Sequence, residues 1–112
     1  MKGDLNTLTR FSAFLNREIG LCVCETGENF LTFGDDTSGH IHCGACKPEM
    51  LFHTHPLGRP IPSATDMNSL VKADADLDNV EYCIGAMDGK KPKVKCFTFS
   101  KRKNYLKLGF SL

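Results

Sequence analysis

The sequence predicts an α/β fold, a single domain in which a mixed β-sheet is flanked by helices. Three observations carry that prediction. Leu5, Leu8, Phe11 and Leu15 recur at helical spacing near the N-terminus. Short apolar runs bounded by turn residues follow, at 19–24, 30–33, 49–53, 80–87 and 93–99. A second helical pattern, over 63–73, separates the third run from the fourth. The resulting order, α-β-β-β-α-β-β, implies a mixed sheet flanked by helices.

Each element has a local reason. Asp4 can cap the first helix, expected over 5–17, with Phe14 widening its apolar stripe towards the core. The run Ile19 to Cys24 reads as a buried strand, and the turn signal at 25–29 returns the chain into the strand at 30–33. A loop over 34–39 leads into 40–46, where the pattern defines no element. Pro48 and Pro56 bound the strand at 49–53. Met67, Leu70 and Val71 form the stripe of the second helix, which the acidic run 74–79 ends. The last two long runs form a hairpin across Asp88, Gly89 and Pro92, and 105–108 can add an edge strand.

Composition narrows the function classes. At 112 residues the chain suits one core, and its 41% hydrophobic and 24% charged residues are those of a soluble protein. No apolar run approaches the ~20 residues that cross a bilayer. The start, Met1 to Asp4, lacks the apolar stretch of a signal peptide, so the expectation is a cytoplasmic protein with no membrane partner. A net charge of +1 offers no field for a polyanion, and no nucleic-acid partner is expected. Lys90, Lys91, Lys93, Lys95, Lys101, Arg102 and Lys103 are read as a solvated hairpin tip. The sequence assigns no oligomeric state.

The chemistry concentrates between residues 53 and 66. His53 and His55 flank Thr54, Pro56 follows, and seven residues separate His55 from Ser63, with Asp66 three residues further on. On a strand, residues two apart share a face, so His53 and His55 project side by side from the strand's end. Pro60 and Pro62 extend the loop, and Ser63 opens a helix with Asp66 in its first turn. Ser63 and Asp66 alone also match a capping box, and two histidines alone also match hydrogen-bonded core residues. Together they can bring one carboxylate back towards two imidazoles. Two neutral histidines, a carboxylate and an open position for water make a catalytic zinc site, although ligand type leaves other divalent metals possible.

This run of residues resembles the signature of the JAMM (MPN+) metalloprotease family, most closely its prokaryotic branch. The order of elements agrees over nearly the whole chain, which implies the JAMM and cytidine-deaminase-like layout. By that resemblance His53, His55 and Asp66 bind Zn2+, Ser63 helps stabilise the oxyanion, and a glutamate after the first helix activates water. The resemblance further implies an isopeptidase or peptidase of deubiquitinase-like type. It would hydrolyse the bond after the C-terminal tail of a ubiquitin-like or sulfur-carrier protein. The chain leaves little room for the insertions by which eukaryotic members grip ubiquitin. Two other readings stand beside this one: a non-catalytic module of the same fold, and a RadC-like protein with a similar motif.

The motif itself contains no general base, and the acids upstream of it are Glu18, Glu25, Glu28 and Glu49. Glu49 lies at the far end of the histidine strand, roughly 13 Å away at strand rise. Glu28 sits in a Gly-containing turn and Glu25 at its start, where solvated acids are usual. Glu18 joins the first helix to a buried strand, which is where the resembling family places its glutamate. An acid entering a buried strand is costly without a partner. The competing reading pairs Glu18 with Arg17 or another surface cation.

Six cysteines form the other constellation. Cys22 and Cys24, with Cys43 and Cys46, admit a structural metal, disulfides or free thiols. Cys83 and Cys96 can face each other across the hairpin.

Overall fold

The structure is a computed structural model that describes residues 2–34, 41, 43–61, 80–100 and 105–111. The described elements are α1 (Lys2–Leu15), β1 (Ile19–Cys24), β2 (Asn29–Phe33), β3 (Pro48–Thr54), β4 (Glu81–Asp88), β5 (Lys91–Ser100) and β6 (Tyr105–Ser111). The strands make one sheet in the order β2-β1-β3-β4-β5-β6. β3 and β4 run parallel, and every other neighbouring pair is antiparallel. The sheet is therefore mixed, as the pattern implied. A parallel pair cannot be joined by a tight turn, and here residues 55–80 carry the crossover. The helix expected over 63–73 lies outside the described residues, as do the acidic run 74–79 and the basic residues 101–103.

Alternation along the strands divides the core between two faces. Leu21, Val23, Met50, Phe52, Cys83, Val94 and Cys96 point to one, covered by α1 through Leu5 and Leu8. Cys22, Cys24, Leu51, Tyr82 and Ile84 point to the other, with Phe30, Ile41, Cys43, Cys46 and Phe97 packed against them.

The helix differs from its expectation in which side it buries. Leu5 is fully buried, but Phe11, Phe14 and Leu15 are 53%, 85% and 46% exposed. The buried line is instead Leu5, Thr9 and Ser12, at i, i+4 and i+7. The reason is a close approach to β4. A Cβ at Gly85 would collide with Thr9 Oγ1 and come within 3.1 Å of the Phe52 ring. No large side chain fits there. Thr9 satisfies its own hydroxyl by donating to the Leu5 carbonyl at 2.7 Å.

The helix bounds also shift. It begins at Lys2, so Asp4 lies in the first turn and complements the helix dipole rather than capping the end. It stops at Leu15 because Asn16 adopts φ 53°. The Arg17 amide then donates to Ser12 O at 3.1 Å and the Asn16 amide to Ala13 O at 3.4 Å. That pair of bonds is a Schellman cap, with asparagine in the left-handed position.

All six cysteines are joined, as Cys22–Cys43, Cys24–Cys46 and Cys83–Cys96. Cys83 and Cys96 are direct partners in the β4–β5 register. Disulfides persist in oxidising compartments and are rare in the cytosol, so this form points away from the cytoplasm. Among the described residues no helix is long and apolar enough to cross a membrane. At the β4–β5 turn Lys90 and Lys91 are exposed, and Lys93 pairs with Asp88 at 3.2 Å in solvent, as expected of a solvated tip.

Candidate metal centre

β3 is held on both sides, by β1 and by β4, so its direction at His53 is set by two ladders of hydrogen bonds. His53 lies on the face opposite α1, two residues from Leu51, and is only 8% exposed. Beyond the strand, the His55 amide donates to Gly85 O at 2.8 Å and prolongs the β4 contact by one more residue. A turn over 55–58 then folds back, with Gly58 N donating to His55 O at 3.4 Å. A Cβ at Gly58 would stand 3.2 Å from His55 Cβ, which is why a residue without one suits the turn.

The two imidazoles meet through the same atom. His53 Nε2 and His55 Nε2 lie 2.9 Å apart. His55 Nδ1 is 2.8 Å from the Arg59 carbonyl oxygen. A carbonyl only accepts, so Nδ1 carries the proton and Nε2 turns its lone pair towards His53. His53 Nδ1 is 3.1 Å from the Tyr82 hydroxyl. With Tyr82 donating, His53 Nε2–H bonds to His55 Nε2 and the pair is a neutral hydrogen bond. With Tyr82 accepting, both Nε2 lone pairs converge, and a cation between them relieves the repulsion.

Glu18 is brought to this point by register. Gly20 pairs with His53 across the antiparallel β1–β3 ladder, so Glu18, two residues back (20 − 2), stands level with His55, two residues on (53 + 2). A Glu18 carboxylate oxygen and a ring nitrogen from each histidine lie within 4.8 Å of one another. The other candidate acids point elsewhere. Glu25 is exposed, pairs with Lys47 at 3.8 Å, and lies beyond the opposite end of β1, about 16 Å from Gly20 at strand rise. Glu28 is exposed beside Thr26 at 3.2 Å, and Glu49 is exposed at the start of β3.

The backbone around Glu18 is fixed by hydroxyls that sequence patterns did not single out. The Ile19 amide donates to Thr54 Oγ1 at 2.8 Å. Thr54 donates to Ser12 Oγ, and Ser12 donates to Arg17 O at 2.6 Å. This chain of hydrogen bonds ties down the residues on both sides of Glu18. A second clamp comes from Gly34, whose amide donates to Glu18 O at 2.8 Å while its carbonyl accepts from Arg17 Nε at 2.8 Å. Tyr82 was likewise read only as a strand residue, because its tie to His53 is made across the β3–β4 pair.

The two imidazole nitrogens and the carboxylate beside them fit a zinc ion. In a tetrahedral site with Zn–N of about 2.0–2.1 Å the two nitrogens would stand about 3.4 Å apart, a few tenths of an ångström from their present separation. Both Nδ1 atoms already have outer partners, Arg59 O and Tyr82 Oη, which is how zinc-bound histidines are oriented. Ser63 and Asp66, the remaining members of the expected site, lie outside the described residues. Comparison of the chain with protein-family models, with curated proteins and with solved structures gives no match.

Proposed function

We propose that the protein is a zinc-dependent isopeptidase or peptidase of the JAMM type. The substrate of this proposal is the bond after the C-terminal tail of a ubiquitin-like or sulfur-carrier protein. The observation that carries the reading is the convergence of Glu18, His53 and His55 on one point, from a helix–strand junction and a strand end that lie far apart in sequence. A structural pair of histidines has no need of a carboxylate delivered by a separately clamped backbone.

In this reading His53 and His55 would hold zinc through Nε2, and Asp66 would supply the third ligand. Zinc, when bound, acts as a Lewis acid that lowers the pKa of water to about 7. Glu18 takes a proton from the attacking water on its carboxylate and returns it to the departing amine nitrogen. The Ser63 hydroxyl donates to the developing oxyanion, a contribution of about 3 kcal/mol per donor. Tyr82 and the Arg59 carbonyl, which contact the two Nδ1 atoms, would hold the rings with Nε2 towards the ion.

The test is hydrolysis of fusions in which a folded reporter follows a ubiquitin-like or sulfur-carrier tail. The zinc-loaded protein should release the reporter at the end of the tail, and both chelator treatment and Glu18→Gln should stop it. Zinc bound at the histidines without cleavage of any such fusion would instead favour the non-catalytic module.

A further inference from the structure

Cys22 and Cys24 leave β1 on the same face as His53, and both are fully buried. Cys43 and Cys46 come from a tight turn packed against that face. The Cys46 amide donates to Cys43 O at 3.3 Å, Cys46 Sγ lies 3.1 Å from the same oxygen, and Gly44 turns the chain with φ +60°. The sulfurs of Cys22, Cys24 and Cys46 lie within 4.8 Å of one another, and Cys43 is bonded to Cys22. Three sulfurs therefore gather at one point and the fourth, Cys43, is joined to one of them, two coming from a Cys-x-Cys strand and two from a Cys-x-x-Cys turn.

As two disulfides this cluster is redundant. Cys22–Cys43 and Cys24–Cys46 span 21 and 22 residues and join the same strand to the same turn. Once either forms, the other closes only a small ring through the intervening residues. Loop-closure stabilisation grows with loop length, so the second bridge adds little constraint to the unfolded chain. A tetrahedral ion, by contrast, requires all four sulfurs at one point, and paired cysteines at short spacing are how structural zinc sites are built.

We propose that the reduced chain binds one zinc ion at Cys22, Cys24, Cys43 and Cys46 as a closed tetrathiolate site, and that the two disulfides are the oxidised form of the same site. Reduction breaks both S–S bonds and consumes four electrons and four protons, supplied by two equivalents of a dithiol that become cyclic disulfides. Zinc then displaces the four thiol protons and forms four Zn–S bonds, leaving the cluster with a net charge of −2. The site is independent of the histidine centre, since it uses sulfur donors only. It gives the chain a form compatible with a reducing compartment, where the disulfides would not persist.

The experiment uses the full chain, reduced without oxygen by a phosphine and freed of metal, then titrated with cobalt(II) and afterwards with zinc. One equivalent of cobalt should give the intense visible bands and near-ultraviolet charge transfer of a tetrathiolate, and one equivalent of zinc should erase them. Zinc should also protect four thiols from a thiol reagent. The spectrum should persist in His53→Ala/His55→Ala and disappear in Cys43→Ser/Cys46→Ser. Bands that survive the cysteine substitutions, or that never form in reduced wild type, overturn the proposal. Should the reduced, metal-free chain lose its fold, zinc must restore it, and failure to do so also overturns it. The wild-type titration decides the matter even if the cysteine variant fails to fold.

Discussion

Ser12 and Thr54, 42 residues apart in the chain, share a hydrogen bond inside the core, and both are fully buried. One comes from the helix and the other from the histidine strand. Their bond joins the Arg17 carbonyl to the Ile19 amide through two hydroxyls. A satisfied chain of this kind polarises along its length and resists partial disruption.

Thr54→Val keeps the shape of the side chain and removes its acceptor, so the buried Ile19 amide loses its partner. The expected loss is about 1–3 kcal/mol of unfolding free energy, read by denaturant titration. Thr54→Ser, which retains the hydroxyl, should recover most of the hydrogen-bonding part. Equal losses in the two variants would mean that the methyl contact, not the hydroxyl chain, holds the junction.

Glu18→Gln should leave the fold and the metal content intact while lowering peptidase turnover by at least ~100-fold. Circular dichroism, elemental analysis and the fusion assay read the three quantities separately. Glu25→Gln is the control, because Glu25 is exposed and paired with Lys47. Loss of activity in Glu25→Gln with near-normal turnover in Glu18→Gln would transfer the base to Glu25.

Metal content of oxidised protein isolates the histidine centre, since the cysteines are then disulfides. Wild type should hold about one equivalent of zinc, and His55→Ala and Asp66→Ala much less. Tyr82→Phe keeps the ring and removes the hydroxyl beside His53 Nδ1, so zinc affinity should fall about 10–100-fold with the fold unchanged. An unchanged affinity would show that Tyr82 does not orient His53.

Gly85→Ala should destabilise the protein well beyond the ordinary preference for alanine, because its Cβ meets Thr9 Oγ1 and the Phe52 ring. Thr9→Ala in the same chain should recover part of the loss. A double-mutant cycle on thermal unfolding measures that coupling, and additive effects would contradict the close approach of helix and sheet.

Much of this arrangement was legible in residue order. The apolar run from Ile19 to Cys24 and the alternating hairpin strands lie within two residues of their predicted bounds, because burial on a sheet leaves a periodic trace. His53 and His55 were singled out because they share a strand face, and Glu18 because the family resemblance places a glutamate after the first helix; the β1–β3 register then brings the three together. What periodicity could not reach were contacts between elements. Thr9 and Ser12 look like surface residues of a helix, but Thr9 packs on the bare backbone at Gly85 and Ser12 bonds Thr54 of the histidine strand, which makes theirs the buried side. The left-handed turn at Asn16 ended that helix two residues before the pattern did. The Cys83–Cys96 bridge lies across the hairpin as expected, whereas Cys22–Cys43 and Cys24–Cys46 join a strand to a turn over residues where the pattern defined no element.

The place of β3 in the sheet bears on how the centre is assembled. With β1 on one side and β4 on the other, its amides face a neighbouring strand in either direction and none faces an open sheet edge. Such amides usually exchange through the largest, most cooperative openings of a protein. Hydrogen exchange around Leu51 to His53 should therefore be slow whether or not zinc is present. Protection gained on binding should appear instead over 55–61, where single hydrogen bonds hold the turn that carries His55. Half of the centre would then be held by the sheet before the ion arrives, and the ion would add its hold to the turn that carries His55.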